Sequence, residues 1–106
     1  MAGPRMTIPT QLVLQALVGA DEVYGAELGA LTQLPSGTVH PILARLEGLA
    51  WVVSRWEDID PSAEGRPARR YYRLTAEGRA QARAALAKAA RQVSVTARPR
   101  PVGSAG

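Results

Sequence analysis

The sequence predicts a mostly helical fold with one small β-hairpin: three helices, two strands and a fourth helix. Three observations carry this. From Ser36 to Leu49, the residues Val39, Ile42, Leu43, Leu46 and Leu49 recur at helical spacing and so share one face. After Leu49 the period changes, because Trp51 to Trp56 and Arg69 to Leu74 are rich in β-branched and aromatic residues while 58–68 collects Asp, Pro, Ser and Gly. From Thr75 a helical pattern returns as an Ala-rich run.

Taken in order, residues 1–8 are expected to be flexible. Thr7 is the expected N-cap of a first helix from Pro9 to about Val18, with Leu12, Val13, Ala16 and Leu17 buried and Gly19 as its stop. A second helix is expected from about Tyr24 to Thr32, with Leu28 and Leu31 inward and Glu27 outward. The break at Gln33–Pro35 is short enough to make a helix-turn-helix with the third helix, for which Ser36 is the expected N-cap. Pro41, one turn inside, removes a hydrogen bond and crowds the carbonyl of Gly37, which predicts a distorted first turn.

The two strands form the hairpin known as a wing. Trp51 is assigned to the core, and Tyr71 and Tyr72, on opposite faces, to one core and one outer position. Thr75 caps a fourth helix running to about Val93, with basic residues Arg79, Arg83, Lys88 and Arg91 and only Leu86 and Val93 as large apolar residues. A helix this rich in alanine gains little alone, so it is expected to pack on the first helix or on another subunit. The reading is therefore one winged helix-turn-helix domain over 9–93, with a C-terminal dimerisation helix and a disordered Pro/Gly-rich tail over 94–106.

Composition narrows the chemistry. With no Cys and one His there is no disulfide, thiolate nucleophile or multi-histidine metal site, and no cofactor is expected. No run approaches the roughly 18 apolar residues of a membrane span, and the N-terminus lacks a secretory pattern, so a cytoplasmic non-enzyme without a membrane partner is expected. Charge is divided unevenly: residues 1–64 hold three basic and eight acidic side chains, and 65–106 hold ten basic and one acidic. A positive surface for a polyanion explains this, and a solubilising basic tail explains it equally well from charge alone.

The third helix decides between them. Its outward face holds Gly37, His40, Pro41, Ala44 and Gly48, almost stripped of the long side chains that a solvated face carries. Such a helix can approach another surface closely, and a major groove in double-stranded DNA is such a surface. Ser36, Gly37, Thr38 and His40 are the candidate contacts near its start, although Ser36 and Thr38 could serve only as caps; Arg45 is the candidate phosphate contact further on, with pairing to the Glu47 region or to solvent as an even alternative. On the wing, Arg66 at a Gly-Arg-Pro tip is expected to project one guanidinium toward a minor groove, with Arg69 and Arg70 behind it. Trp56 is the candidate lining of an effector pocket between subunits, with ordinary packing as the commoner role.

The order and spacing of several short pieces resemble the PadR family of winged-helix transcriptional regulators across about Leu12 to Leu86. They are Tyr24-Gly25 with Glu27-Leu28; Ser36, Thr38-Val39, Pro41, Leu43 and Arg45-Leu46-Glu47; Gly65-Arg66-Pro67; and Tyr71-Tyr72-Arg73-Leu74-Thr75 followed by Glu77-Gly78. His40 stands where the family usually has Tyr. The resemblance implies a homodimeric DNA-binding repressor, often autoregulatory and often relieved by a small-molecule effector. The competing reading is a winged-helix protein-interaction module without specific DNA binding, which leaves Arg66, Arg69, Arg70 and Arg73 without a purpose.

Overall fold

Thr7 opens the first helix as its sequence position predicts. In the computed structural model, which describes residues 3–96, Thr7 is extended and its Oγ1 accepts from the Thr10 backbone at 3.3 Å. Helix α1 (Ile8–Val18) follows, with Pro9 in the first turn where a missing N–H costs nothing. Its buried residues are Thr10, Val13, Leu14 and Leu17. The face is thus rotated from the expected one: Leu14 is fully enclosed, and Leu12 and Ala16 are half-buried. Residues 3–7 have no regular secondary structure, yet Pro4 is buried and Gly3 lies beside the Trp51 ring.

A two-residue strand that periodicity could not reveal, β1 (Val23–Tyr24), precedes α2 (Gly25–Thr32). The Glu27 carboxylate accepts from the Tyr24 backbone N–H at 3.3 Å, satisfying a donor at the helix start. Leu31 is a correction. It is 61% exposed, because the inward face of this short helix is centred between Leu28 and Thr32 and a residue at position 31 falls about 80° to one side. Thr32 instead closes that face, donating from Oγ1 to the Leu28 carbonyl at 2.6 Å.

Gln33 takes the left-handed conformation that ends α2, and α3 (Ser36–Gly48) begins three residues later. Its N-cap is Pro35, not Ser36: proline's fixed φ presets the extended cap geometry, and the Pro35 carbonyl accepts from both Thr38 and Val39. The bond to Thr38 is of the tight i−3 kind that commonly accompanies the i−4 bond at a helix start, and the helix continues unbroken through Pro41. Val39, Leu43 and Leu46 are buried, whereas Ile42 and Leu49 are half-buried at the edge of the core.

Strands β2 (Val52–Trp56) and β3 (Arg70–Leu74) pair antiparallel from Val52↔Leu74 to Trp56↔Arg70, and β1 adds to the other edge of β3. The sheet order is β1-β3-β2. The wing is therefore a two-stranded hairpin extended to three strands, and its connection, expected to be only loop, contains the single helical turn α4 (Pro61–Glu64). Asp60 caps that turn through Ser62, and Gly65 ends it with a φ of 70°. Tyr72 is buried and Tyr71 half-buried, which settles their division of faces.

Helix α5 (Ala76–Thr96) runs three residues beyond the expected end; residues 97–106 and the packing of Val93 lie outside the described residues. Thr75 is its cap, accepting from the Gly78 N–H at 2.9 Å while donating to the Ala50 carbonyl. Ala82 and Ala89 are buried, Ala85 and Leu86 half-buried, and α5 lies on α1. Arg79 crosses to the end of α1 and donates to the Val18 and Ala20 carbonyls at 2.8 and 3.4 Å, so this cation serves as a cap. One core results, in which Leu14, Leu17, Leu28, Leu43 and Leu46 are fully enclosed and Trp51 closes the end beneath α5.

Candidate nucleic-acid interface

The outward face of α3 is bare as expected: Gly37, His40, Pro41, Ala44 and Gly48 are all exposed, and His40 is the only large flexible group among them. Burying Val39, Leu43 and Leu46 fixes this rotation, so the core sets which side chains meet a ligand. Ser36 is exposed at the first helical position with Gly37 beside it, while Thr38 is half-buried.

The fold brings His40 together with the wing. A cleft of about 460 Å³ between α2, α3 and the hairpin is lined by Tyr24, Gly25, His40, Arg66, Arg69 and Arg70 among others. His40 rests against the start of α2, where a Cβ on Gly25 would come within 3.3 Å of His40 Cε1. Four of the candidate contacts, His40, Arg66, Arg69 and Arg70, thus share one surface. Arg45 does not join them and lies across α3, beside Pro41 and Arg5.

The wing arginines are not free cations. Arg66 was expected to project alone, but it forms a two-pronged pair with Glu57 at 2.8 and 3.0 Å, and Glu57 also accepts from the Arg69 backbone at 3.1 Å. The Gly-Arg-Pro turn places Arg66 nine residues after Glu57 and directly opposite it, so the guanidinium folds back and closes the wing. Arg69 lies 4.4 Å above the Tyr24 ring, which itself meets Tyr71 edge-on at 5.6 Å. Arg70 donates to Ser54 Oγ at 2.9 and 3.0 Å and sits 3.4 Å from Glu47 of α3; Ser54 in turn donates to Glu47 at 2.6 Å. That relay ties the wing to α3 and fixes their spacing.

Charge on the wing is accordingly near balance. From 57 to 70 there are four acidic residues (Glu57, Asp58, Asp60, Glu64) and three basic ones. With Arg73 the stretch 57–74 holds four acidic and four basic residues, so the net positive charge from 57 onward belongs to α5 and the residues after it. Trp56 is 63% exposed at the outer end of β2, with the Arg70 guanidinium 5.5 Å from its ring, so within this chain it is not packed into the core. Tyr24, part of the family pattern but not among the expected contacts, also lines the cleft, and Arg5 lies beside Arg45 in a segment expected to be flexible.

The Arg66 hydrogen bonds hold the Glu57 carboxyl down to about 2, against an ordinary value of 4.5, more than offsetting its desolvation. A carboxylate with a lowered pKa stabilises the fold above its unfolded value and loses that contribution as pH falls toward the folded value. The wing clamp is thus expected to be intact above about pH 4.5 and to open on acidification toward pH 2. A carbon-detected NMR titration should place the Glu57 midpoint near the bottom of that window in the native chain and near the ordinary value in Arg66→Gln. Equal midpoints would contradict the clamp.

The model of the transcriptional regulator PadR-like family matches residues 13–84. The chain belongs to that family. It is a DNA-binding transcriptional regulator. The fold is similar to that of a PadR family regulator from Eggerthella lenta DSM 2243, at 28% identity and a TM-score of 0.67, over 83% of this chain and 77% of that one. A PadR family regulator from Clostridium difficile R20291 shares the fold at 22% identity and a TM-score of 0.65, over 85% and 97%. Overoxidized AbfR, whose structure is of the DNA-bound protein, is 27% identical with a TM-score of 0.62; 79% of this chain aligns, spanning 57% of that one. Among curated proteins no match was found.

Proposed function

We propose that this PadR-like regulator is a cytoplasmic repressor without enzymatic activity, which binds a pseudo-palindromic operator as a homodimer. Each subunit lays the Gly37–Gly48 stripe of α3 in a major groove, with Ser36, Gly37, Thr38 and His40 nearest the bases and sugar-phosphate edge. Arg69 and Arg70 face the backbone from the wing, and Arg66 reaches it only by leaving Glu57. The observation that carries this reading is the stripe itself: a helix with one large outward side chain, His40, opening onto a cleft lined by three arginines.

Dimerisation is assigned to α1 and α5. The alanines of α5 permit close approach, and two recognition helices would then sit about 34 Å apart, one turn of duplex. Trp56, beside Arg70, belongs in this reading to the duplex edge of the wing rather than to an effector pocket. A small-molecule effector would act by changing the spacing of the two α3 helices.

Selection of bound fragments from the source genome tests the proposal. The expected product is a set of sites with paired half-sites one helical turn apart, each shifting as a complex of two chains. Fragments with no shared sequence, or one chain per site, would instead favour the protein-interaction module.

A further inference from the structure

The stripe on α3 has two flanks, and the cations on them are in different states. At about 100° per residue, Glu47 borders the stripe on one side and Arg45 on the other, about 160° apart around the helix. The Glu47 side is the wing side, where the three cations of the cleft already have partners: Arg66 with Glu57, Arg70 with Glu47 and Ser54, and Arg69 over Tyr24. On the far side Arg45 and Arg5 are both exposed, and neither takes part in the ion pairs among the described residues.

These two arginines line one cleft of about 200 Å³, together with Pro4, Thr7, Pro41 and Ile42, and no carboxylate is among its lining residues. Arg5 is held there by its neighbours. Pro4 is buried on its N-terminal side, and on the other the Met6 carbonyl accepts from Gln11 Nε2 at 2.9 Å. Arg45 follows Pro41 by four residues and so leaves α3 from the same edge.

We propose that Arg5 and Arg45 form a phosphodiester clamp for the DNA strand running along α3 on the side away from the wing. This rests on the DNA-binding reading and adds to it a second backbone contact, with a changed source of electrostatic attraction. When Arg66 exchanges Glu57 for a phosphate, a carboxylate is left bare, so little net charge is neutralised. When Arg5 and Arg45 meet a phosphate, no internal anion is uncovered, and condensed counterions are released. The free pair therefore contributes more to the salt dependence than the Gly-Arg-Pro tip does.

The test is the salt dependence of binding of the full chain to a mixed-sequence duplex. Arg5→Gln and Arg45→Gln should each reduce the log–log slope by about 0.9, and the double variant by about 1.8. Arg66→Gln should leave the slope nearly unchanged, and Arg5→Lys and Arg45→Lys should restore it, since lysine also supplies one cation per phosphate. Both arginines are exposed, so the variants should melt as the native chain does. A double variant with the native slope overturns the clamp, as does a loss that lysine fails to restore. Absence of any salt-dependent binding by the native chain would instead overturn the DNA-binding reading beneath it.

Discussion

Gly78→Ala is expected to cost about 3 kcal/mol or more of folding stability and to lower the melting temperature by roughly 10–20 °C. A Cβ there would stand 2.0 Å from the Trp51 carbonyl oxygen, a backbone atom that no rotamer change can move aside. The same oxygen accepts from Thr75 N–H at 2.9 Å, so relieving the clash pulls α5 away from the bond that seats its first turn. Ala82 and Leu86 would lift from the core with it. Gly48→Ala is the contrast, because nothing lies within 4 Å of its Cβ position. It ends a helix with no positive φ, and alanine there should be neutral or stabilise by up to about 1 kcal/mol. Thermal melts of the two variants would separate crowding at Gly78 from a general intolerance of glycine replacement; equal melting temperatures would contradict the close approach.

The second large effect is functional. Ala44→Glu places a carboxylate at the centre of the bare stripe on α3, exposed in the free chain and so nearly without effect on folding. Against the phosphates and acceptor-rich base edges of a groove, a like charge costs several kcal/mol, which corresponds to a loss of operator affinity of about a hundredfold or more. Fluorescence anisotropy at fixed salt would measure this. Affinity within a few-fold of the native chain would mean that the stripe does not meet DNA.

Much of this architecture was legible because it rests on local patterns. Val39, Leu43 and Leu46 announce the rotation of α3, Trp51 its enclosed neighbour, and Thr75 the start of α5, each through spacing or capping within a few residues. The missed features depend on partners distant in sequence. The strand β1 has two residues and becomes a strand only by pairing with Tyr71 and Tyr72. Leu31 looks inward by spacing from Leu28 alone, yet Thr32, tied to the Leu28 carbonyl, sets the face. Ser36 resembles a cap until Pro35 takes that place. At the interface, types of residue were readable and their pairings were not: Arg66 looked free because Glu57 lies nine residues away across a turn. Arg5 went unnoticed because nothing in residues 1–8 discloses that Pro4 is buried.

The central claim, that α3 lies in a DNA groove, is tested most directly by cleavage from the protein itself. The chain has no cysteine, so Ala44→Cys carries a single thiol to which a DNA-cleaving iron chelate can be attached, with Lys88→Cys on α5 as the comparison. The account predicts cuts confined to a few adjacent base pairs within each half-site from position 44, and much weaker or diffuse cutting from position 88. Cutting from position 88 equal to or stronger than that from position 44 would contradict it.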